Sequence, residues 1–436
     1  MSKKPLSFGR YFSYEHEVRP MSWQFQYENI FKDLKGKALL PYGKGRSYGD
    51  SCLNENGILL DTSYLNKVTS FDKEKGVITC EAGVTIGQII DLVSPYGWFV
   101  PVSPGTKHVT VAGAAANDVH GKNHHVRGSF GNNVKKLKIF RSDSGLKEVS
   151  PDEDLFKATI GGLGLTGVIL EVTLKLIKAS SWFETENIKF NNLDEFFRIS
   201  EESERDWEYT VAWVDSTSEG ENLGRGIYMR GNHATDPSLP LKTPKPLAGI
   251  PFDFPSFALN EYSVKAFNWL YFNKQLSDHE TKIVHYEPYL YPLDVLKDWN
   301  KIYGKRGFHQ YQFVIPVSEK DALKDLFKII SSSGQASFLT VLKRFGEVEP
   351  VGMLSFPEPG YMVALDFADC GEETDKLFKR MDQIVSSVGG RLYPAKDSKM
   401  SAKDFKKFYP KLEEFKKHID PNMSSSFWRR VTEEKV

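Results

Sequence analysis

Residues 162–167 read Gly-Leu-Gly-Leu-Thr-Gly, the G-x-G-x-x-G spacing of a dinucleotide-binding turn. Such a turn works only when a strand enters it and a helix leaves it, so that a pyrophosphate meets the helix N-terminus. Here the order is reversed. Residues 152–159 carry a short helical pattern before the glycines. After them Val168, Leu170, Val172, Leu174 and Leu176 alternate with Glu171, Thr173 and Lys175, the period of a half-buried strand. The Rossmann reading is rejected, and the glycines are expected to make a tight helix-to-strand turn packed close to something flat.

The rest of the chain follows the same logic of many strands and occasional helices. Strands are expected at 58–61, 77–81 and 98–102. A helix lies between the last two, because Thr85 and Gln88 have capping-box spacing and Ile86, Ile89, Ile90 and Val93 make one apolar face. Residues 103–133 show no clear period. Beyond residue 180, strands at 209–215 and 310–316 mix with amphipathic helices at 319–331 and 373–388, and the tail 401–436 reads as helical. This is an α+β pattern rather than a regular βαβ repeat. Residues 237–255 hold six prolines interleaved with Leu, Ile and Phe. They cannot form a regular element, and are either a solvated loop or a mobile lid or apolar contact for a lipid or partner.

Composition excludes several function classes. With 436 residues the chain has room for two to three domains. Lys plus Arg equals Asp plus Glu, 57 each, so no global field attracts nucleic acid or an anionic surface. Cys52, Cys80 and Cys370 have no CxxC neighbours, which argues against a disulfide framework or structural zinc. The N-terminus has no apolar run after its lysines, and no window is long and apolar enough to span a bilayer. A cytoplasmic or membrane-peripheral location is expected, with no signal peptide or transmembrane segment.

Two segments carry chemistry. In 41–50, PYGKGRSYGD, the glycines Gly43, Gly45 and Gly49 let backbone N–H groups converge on an anion, with Arg46 and Ser47 as further donors. In 104–125, PGTKHVTVAGAAANDVHGKNHH, small residues permit close approach of a planar ligand and end in a histidine cluster. His120 and His124 have i, i+4 spacing, but Gly121 and Asn123 argue against a helix there, and no acidic ligand stands at a familiar distance. No metal is expected; a histidine at the edge of a cofactor pocket is.

In this order and spacing, PYGKGRSYGD, PGTKHVTVAGAAANDVHGKNHH and GGLGLTGVILEVTLKL (161–176) resemble the PCMH-type FAD-binding domain of the vanillyl-alcohol-oxidase-type flavoproteins. HGKNHH with GSFGN (128–132), WVDS (213–216), QYQFVIP (310–316), SFPEPG (355–360) and RLYPAKDS (391–398) narrow the resemblance to the polyprenylphosphoryl-ribose oxidases among them. The similarity runs from about residue 38 to the C-terminus.

The resemblance implies a two-domain α+β fold: an FAD-binding domain of 1–184 completed by 391–436, and an antiparallel-sheet substrate domain of 185–390. It implies FAD contacts from Gly43, Gly45, Arg46, Ser47, Tyr48, Gly49, Asp50, Gly105, Thr110, Val111, Ala112, Gly113, Asn117, Asp118, Val119, His120, Ile169 and Tyr393. Many relatives link FAD covalently through a histidine in the glycine loop. Tyr48 takes that place here, so noncovalent FAD is implied. Lys396 matches an essential lysine beside the flavin, where an ammonium stabilises the charge of the reduced ring. His120, Gln312 and Lys343 match further catalytic-pocket residues, and Trp213, Tyr291, Gln310, Met362 and Ala364 the substrate pocket.

The implied activity is FAD-dependent oxidation of a sugar secondary alcohol to a ketone, at C2′ of a polyprenylphosphoryl-β-D-ribose, with a partner short-chain reductase completing epimerisation to the arabinose. A peripheral membrane contact would fall at 237–255, and no nucleic acid is involved. The alternatives are an aldonolactone or alditol oxidase of the same fold, and a flavin-binding scaffold without turnover. Met362 and Ala364 depart from the Asn and Cys of the resembled pocket. That cysteine is the thiol captured by nitroaromatic suicide inhibitors, and Ala364 offers none.

Overall fold

A computed structural model describes residues 5–235 and 249–433. Most of the proline-rich segment, 236–248, lies outside the described residues. The first three strands, β1 (Glu17–Pro20), β2 (Leu39–Tyr42) and β3 (Ile58–Asp61), pair in parallel with β3 in the middle. A central parallel strand is covered on both faces, and Ile58, Leu59 and Leu60 are all buried. Then come β4 (Val68–Asp72), β5 (Val77–Glu81), β6 (Trp98–Phe99), β7 (Val134–Arg141), β8 (Gly145–Val149), β9 (Val168–Lys175) and β10 (Ile177–Lys178). One antiparallel sheet has the order β4-β5-β9-β7-β8, and β6 pairs with β10.

Among these strands sit α1 (Ile86–Val93), α2 (Val111–Ala116), α3 (His124–Arg127) and α4 (Asp154–Thr159). The expected capping box starts α1: the Gln88 N–H donates to Thr85 Oγ1 at 3.3 Å, and the Thr85 N–H donates to Gln88 Oε1 at 2.9 Å. The turn at 162–167 does join helix α4 to strand β9, with Gly164 and Gly167 at positive φ. One expectation fails: the strand at 98–102 is only Trp98–Phe99. The segment 103–133, without a clear period in sequence, holds helices α2 and α3. Helix α2, Val-Ala-Gly-Ala-Ala-Ala, offers no polar face against which an apolar period could show.

The second half is built on one antiparallel sheet. Its strands are β11 (Trp182–Phe190), β12 (Tyr209–Val214), β13 (Gly226–His233), β14 (His279–His285), β15 (Phe308–Ile315), β16 (Thr340–Phe345), β17 (Gly360–Ala368) and β18 (Arg391–Leu392), in the order β14-β11-β13-β12-β16-β17-β15-β18. Helices α5 (Leu193–Ser203), α6 (Glu261–Asn273), α7 (Tyr286–Leu290), α8 (Lys320–Ser331) and α9 (Glu372–Ser387) accompany it. Every residue of β12 and β15 is buried. Side chains alternate between faces. Tyr311, Phe313 and Ile315 join Phe196 of α5, Leu326 of α8 and Phe378 of α9 in one core. Gln310 and Gln312 point the other way, into the cavity described below.

The tail returns to the first half. It is three short helices rather than one: α10 (Ala402–Phe408), α11 (Leu412–Lys416) and α12 (Ser426–Thr432). Pro410 and Pro421 fall in the gaps, where a proline disfavours the helical conformation of the residue before it. Phe405, Phe415, Phe427 and Trp428 share a core with Leu40, Leu59 and Leu165. Arg430 donates to both Asp50 oxygens, at 3.0 and 2.7 Å, and to Asp397 at 3.0 Å. Removing the guanidinium would leave Asp50 a buried, uncompensated carboxylate.

Candidate active site

A cavity of about 660 Å³ lies between the first-half loops and the free face of the large sheet. That is within the range of ligand and cofactor pockets. The glycine turn at 41–51 forms one wall. Gly45 has φ +58°, and a side chain there would meet the Leu6 carbonyl. The Cβ of any residue at 49 would overlap the Asp397 carbonyl, so the turn is pressed against the Lys396 segment. Gly43, Gly45, Arg46, Ser47 and Tyr48 line the cavity, as do Gly105, Thr110, Ala112, Gly113, Asn117, Val119, Ile169 and Tyr393. The Tyr393 hydroxyl donates to the Asn117 carbonyl at 2.8 Å, tying the C-terminal segment to α2.

Five expected contacts are not among the lining residues, because each is occupied elsewhere. Gly49 is packed on Asp397. Asp50 is held by Arg430. Val111 is buried in the core beneath α2. Asp118 accepts from Ser129, Gly131 and Ser355 at 2.8, 2.8 and 2.5 Å. Tyr291 stands behind Ser103, to which its hydroxyl is hydrogen-bonded. These residues brace the walls.

Strand register assembles the opposite wall. Trp213 pairs with Val341, Val341 with Ala364, and Ala364 with Gln312, so four side chains form one row across β12, β16, β17 and β15. In the next row Lys343 pairs with Met362. All six line the cavity, as do Gln310, His120 and Lys396.

The catalytic candidates meet around His120. Its Nε2 lies 2.8 Å from the Gln312 amide and its Nδ1 lies 3.0 Å from Lys343 Nζ. A neutral imidazole accepts at one nitrogen only. One of the two contacts therefore has the ring N–H as donor, either to Gln312 Oε1 or to a neutral Lys343 amine. Lys343 also donates to the Gly121 carbonyl. Burial pushes its ammonium down to about 7. Burial among Phe345, Phe356 and Tyr393, and then the Lys343 charge, hold His120 well below its ordinary pKa. The imidazole is neutral at pH 7.

Lys396 sits with Nζ 3.7 Å from the Tyr48 ring centroid. Burial lowers its pKa, and the Asp366 carboxylate opposes that shift. Burial raises Asp366, which accepts from Gln310 Nε2 at 2.6 Å. Sequence reasoning missed Asp366, although it falls two residues beyond Ala364 on the same strand face. It also missed Lys122, inside the HGKNHH motif. Lys122 lines the cavity, donates to the Tyr289 carbonyl, and is pushed down to about 7 by burial. Cys52 lines the cavity too, but burial pushes its thiol up to about 12.

Two buried polar atoms of residues lining the glycine-turn wall have no protein partner, Arg46 Nε and Ser51 Oγ. A guanidinium and a hydroxyl left so, beside converging glycines, fit the pyrophosphate of a dinucleotide. Comparison with known proteins agrees. The FAD binding domain family matches residues 29–150. The decaprenylphosphoryl-β-D-ribose oxidase of Mycolicibacterium smegmatis is 36% identical over 91% of this chain and 89% of its own length. This chain belongs to the decaprenylphosphoryl-β-D-ribose oxidase family. A Streptomyces coelicolor protein of uncharacterised function is 30% identical over 80% of this chain and all of its own. The L-gulonolactone oxidase of Mus musculus is 25% identical over 89% and 87%. As a member of this oxidase family the protein is an FAD-dependent oxidoreductase acting on CH–OH groups, with the mixed α+β architecture of PCMH-type flavoproteins. Among the described residues no helix is long and apolar enough to cross a membrane.

Proposed function

We propose that the protein oxidises the C2′ hydroxyl of a polyprenylphosphoryl-β-D-ribose to a ketone, the first step of an epimerisation that a partner short-chain reductase completes to the arabinose. The observation that carries this reading is the composition of the cavity. Lys396, Lys343, His120 and Gln312 line it with polar groups, and Val211, Trp213, Met229 and Tyr271, neighbours across β12, β13 and α6, line it with an apolar patch. A soluble aldonolactone or alditol has no use for such a patch; a prenyl chain does. A scaffold without turnover has no use for four buried polar groups around one point.

Arg46, Ser47 and Ser51 would hold the FAD pyrophosphate, and Tyr48, Asn117 and Tyr393 would flank the ring system. When bound, FAD supplies the hydride acceptor. Lys396 holds positive charge where negative charge develops, in a site dry enough for that charge to count. Gln312 and Lys343 orient His120 and the sugar hydroxyls. The hydroxyl proton passes to neutral His120 or to the neutral fraction of Lys396, and the pH profile separates them. Burial pushes the Lys396 ammonium down to about 7: with His120 as base the rate falls through neutrality as Lys396 loses its charge, and with Lys396 as base it rises. Tyr48 is buried and its phenol is raised well above 10 by burial, so it stays neutral. We propose that FAD is held without a covalent bond, and that 1–184 with 391–436 forms the flavin unit and 185–390 the substrate unit.

The test is anaerobic flavin bleaching with polyprenylphosphoryl pentoses beside lactones and alditols. Bleaching by the lipid-linked ribose is expected. Bleaching by lactones alone would sink the reading. Acid precipitation should leave free FAD in the supernatant.

A further inference from the structure

Helix α6 is apolar on two sides. Val264, Asn268 and Phe272 are its buried side, where Asn268 donates to Asp215 at 2.9 Å. Tyr271 lines the cavity, with its ring 4.5 Å from that of Trp213. The outward side should be polar in a surface helix. Instead Tyr262, Ala266, Trp269 and Leu270, at i, i+4, i+7 and i+8, are all exposed, the three large ones by 82, 56 and 61%. Leu276, just past the helix end, is 96% exposed, and Phe257, just before it, 79%.

We propose that this face of α6 docks on the surface of a lipid bilayer, from which the prenyl chain reaches the cavity along the apolar patch of Tyr271 and Trp213. The inference rests on the proposed lipid-linked substrate, and it moves the membrane contact from the proline-rich segment to the helix that follows it. Three features favour a bilayer. The face is continuous with the cavity through a single helix. It carries Trp and Tyr among aliphatic residues, the composition of interfacial helices. It is also too small for a second copy of the chain: a helix face about 20 Å long and about 10 Å wide gives about 200 Å², against about 800 Å² per partner in a stable interface. Attraction to anionic headgroups is not the drive. Lys265 is paired with Glu261 at 2.7 Å, Lys274 lies 3.5 Å over the Tyr271 ring, and the chain has no net charge. Contact is through apolar insertion, so it should survive salt.

The experiment is co-sedimentation of the holoprotein with phosphatidylcholine vesicles, with and without phosphatidylglycerol, at low and high salt. Binding to both compositions, retained at high salt, is expected. The Trp269→Ser/Leu270→Ser double variant should bind at least about tenfold more weakly, since two inserted side chains are lost. Its flavin spectrum, Tm and oxidation of a short-chain, water-soluble prenylphosphoryl ribose should stay at wild-type levels. Wild-type protein that ignores vesicles, binds only anionic ones, or forms a dimer that the double variant abolishes would overturn the docking surface. If the short-chain substrate is still oxidised, the proposed function stands without it. Vesicle binding with no bleaching by any prenylphosphoryl pentose would support the surface and overturn the substrate.

Discussion

The glycine turn at 41–51 and the segment 103–122 line one side of the cavity with nearly continuous chain. Trp213, Gln312, Lys343 and Ala364 line the other from four separate strands. The first wall works through backbone and small side chains, so it demands glycines where a Cβ cannot fit. The second works through side chains set in rows by strand register, so almost any sheet-forming residue satisfies the fold and chemistry alone chooses among them. The glycine turn should therefore fail by losing the cofactor, and the polar cluster of His120, Gln312, Lys343 and Lys396 by losing the reaction.

The largest effect belongs to Lys396→Ala. Loss of a buried cation facing developing charge costs on the order of 10²–10³ in the rate of flavin reduction. Stopped-flow bleaching should show it while the FAD content of the purified variant stays full. A wild-type rate would remove Lys396 from the site. Arg46→Ala is the counterpart in the glycine turn. It should weaken FAD about ten- to a hundredfold, the worth of a charged hydrogen bond, as read by FAD titration of the apoprotein. Flavin-saturated Arg46→Ala should be reduced at nearly the wild-type rate, and a large fall in that rate would break the division of labour.

A smaller effect tests the floor beneath His120. His124 is buried against Phe345, with ring centroids 4.4 Å apart, and burial holds its pKa down to about 3. A histidine depressed in the folded state takes up its proton more readily when unfolded, so its contribution is intact above 6.5 and is lost as pH falls towards 3. Between pH 7.5 and 5.5 wild type should lose about 1.4 kcal/mol relative to His124→Leu. Paired denaturant titrations at the two pH values would measure it. An unchanged difference would mean that His124 titrates normally.

The smallest change in rate is expected from Ala364→Cys, which adds one sulfur to the register row. It should leave flavin reduction nearly as it was and create a covalent adduct with nitroaromatic suicide inhibitors, visible by intact-protein mass spectrometry. Wild type should form none. Cys52, the cavity's own thiol, is held protonated by its raised pKa, and a thiolate is what the capture needs. An adduct on wild type, or none on the turning-over variant, would show that β17 has been misread.

What was legible without a structure was local. The Thr85–Gln88 cap, the alternation of 168–175 and the helix-turn-strand order around 162–167 are decided by neighbours in sequence, and they appear as expected. The glycine turn and the pocket positions of His120, Gln312, Lys343, Met362 and Ala364 were also readable, through their motifs. What stayed hidden depends on partners distant in the chain. Asp50 looked like a flavin contact until Arg430, 380 residues on, closed over it. Tyr291 looked like a pocket wall until Ser103 came between. Helix α2 had no period to detect because it is covered by the protein and cavity around it. Asp366 acquires its role only through Gln310 on the next strand and Lys396 beyond it. Backbone conformation and side-chain alternation are short-range properties, and sequence carries them. Burial, and with it the shifted pKa values of His120, Lys343 and Lys396, is a sum over everything that packs around a group, and only the folded chain performs that sum.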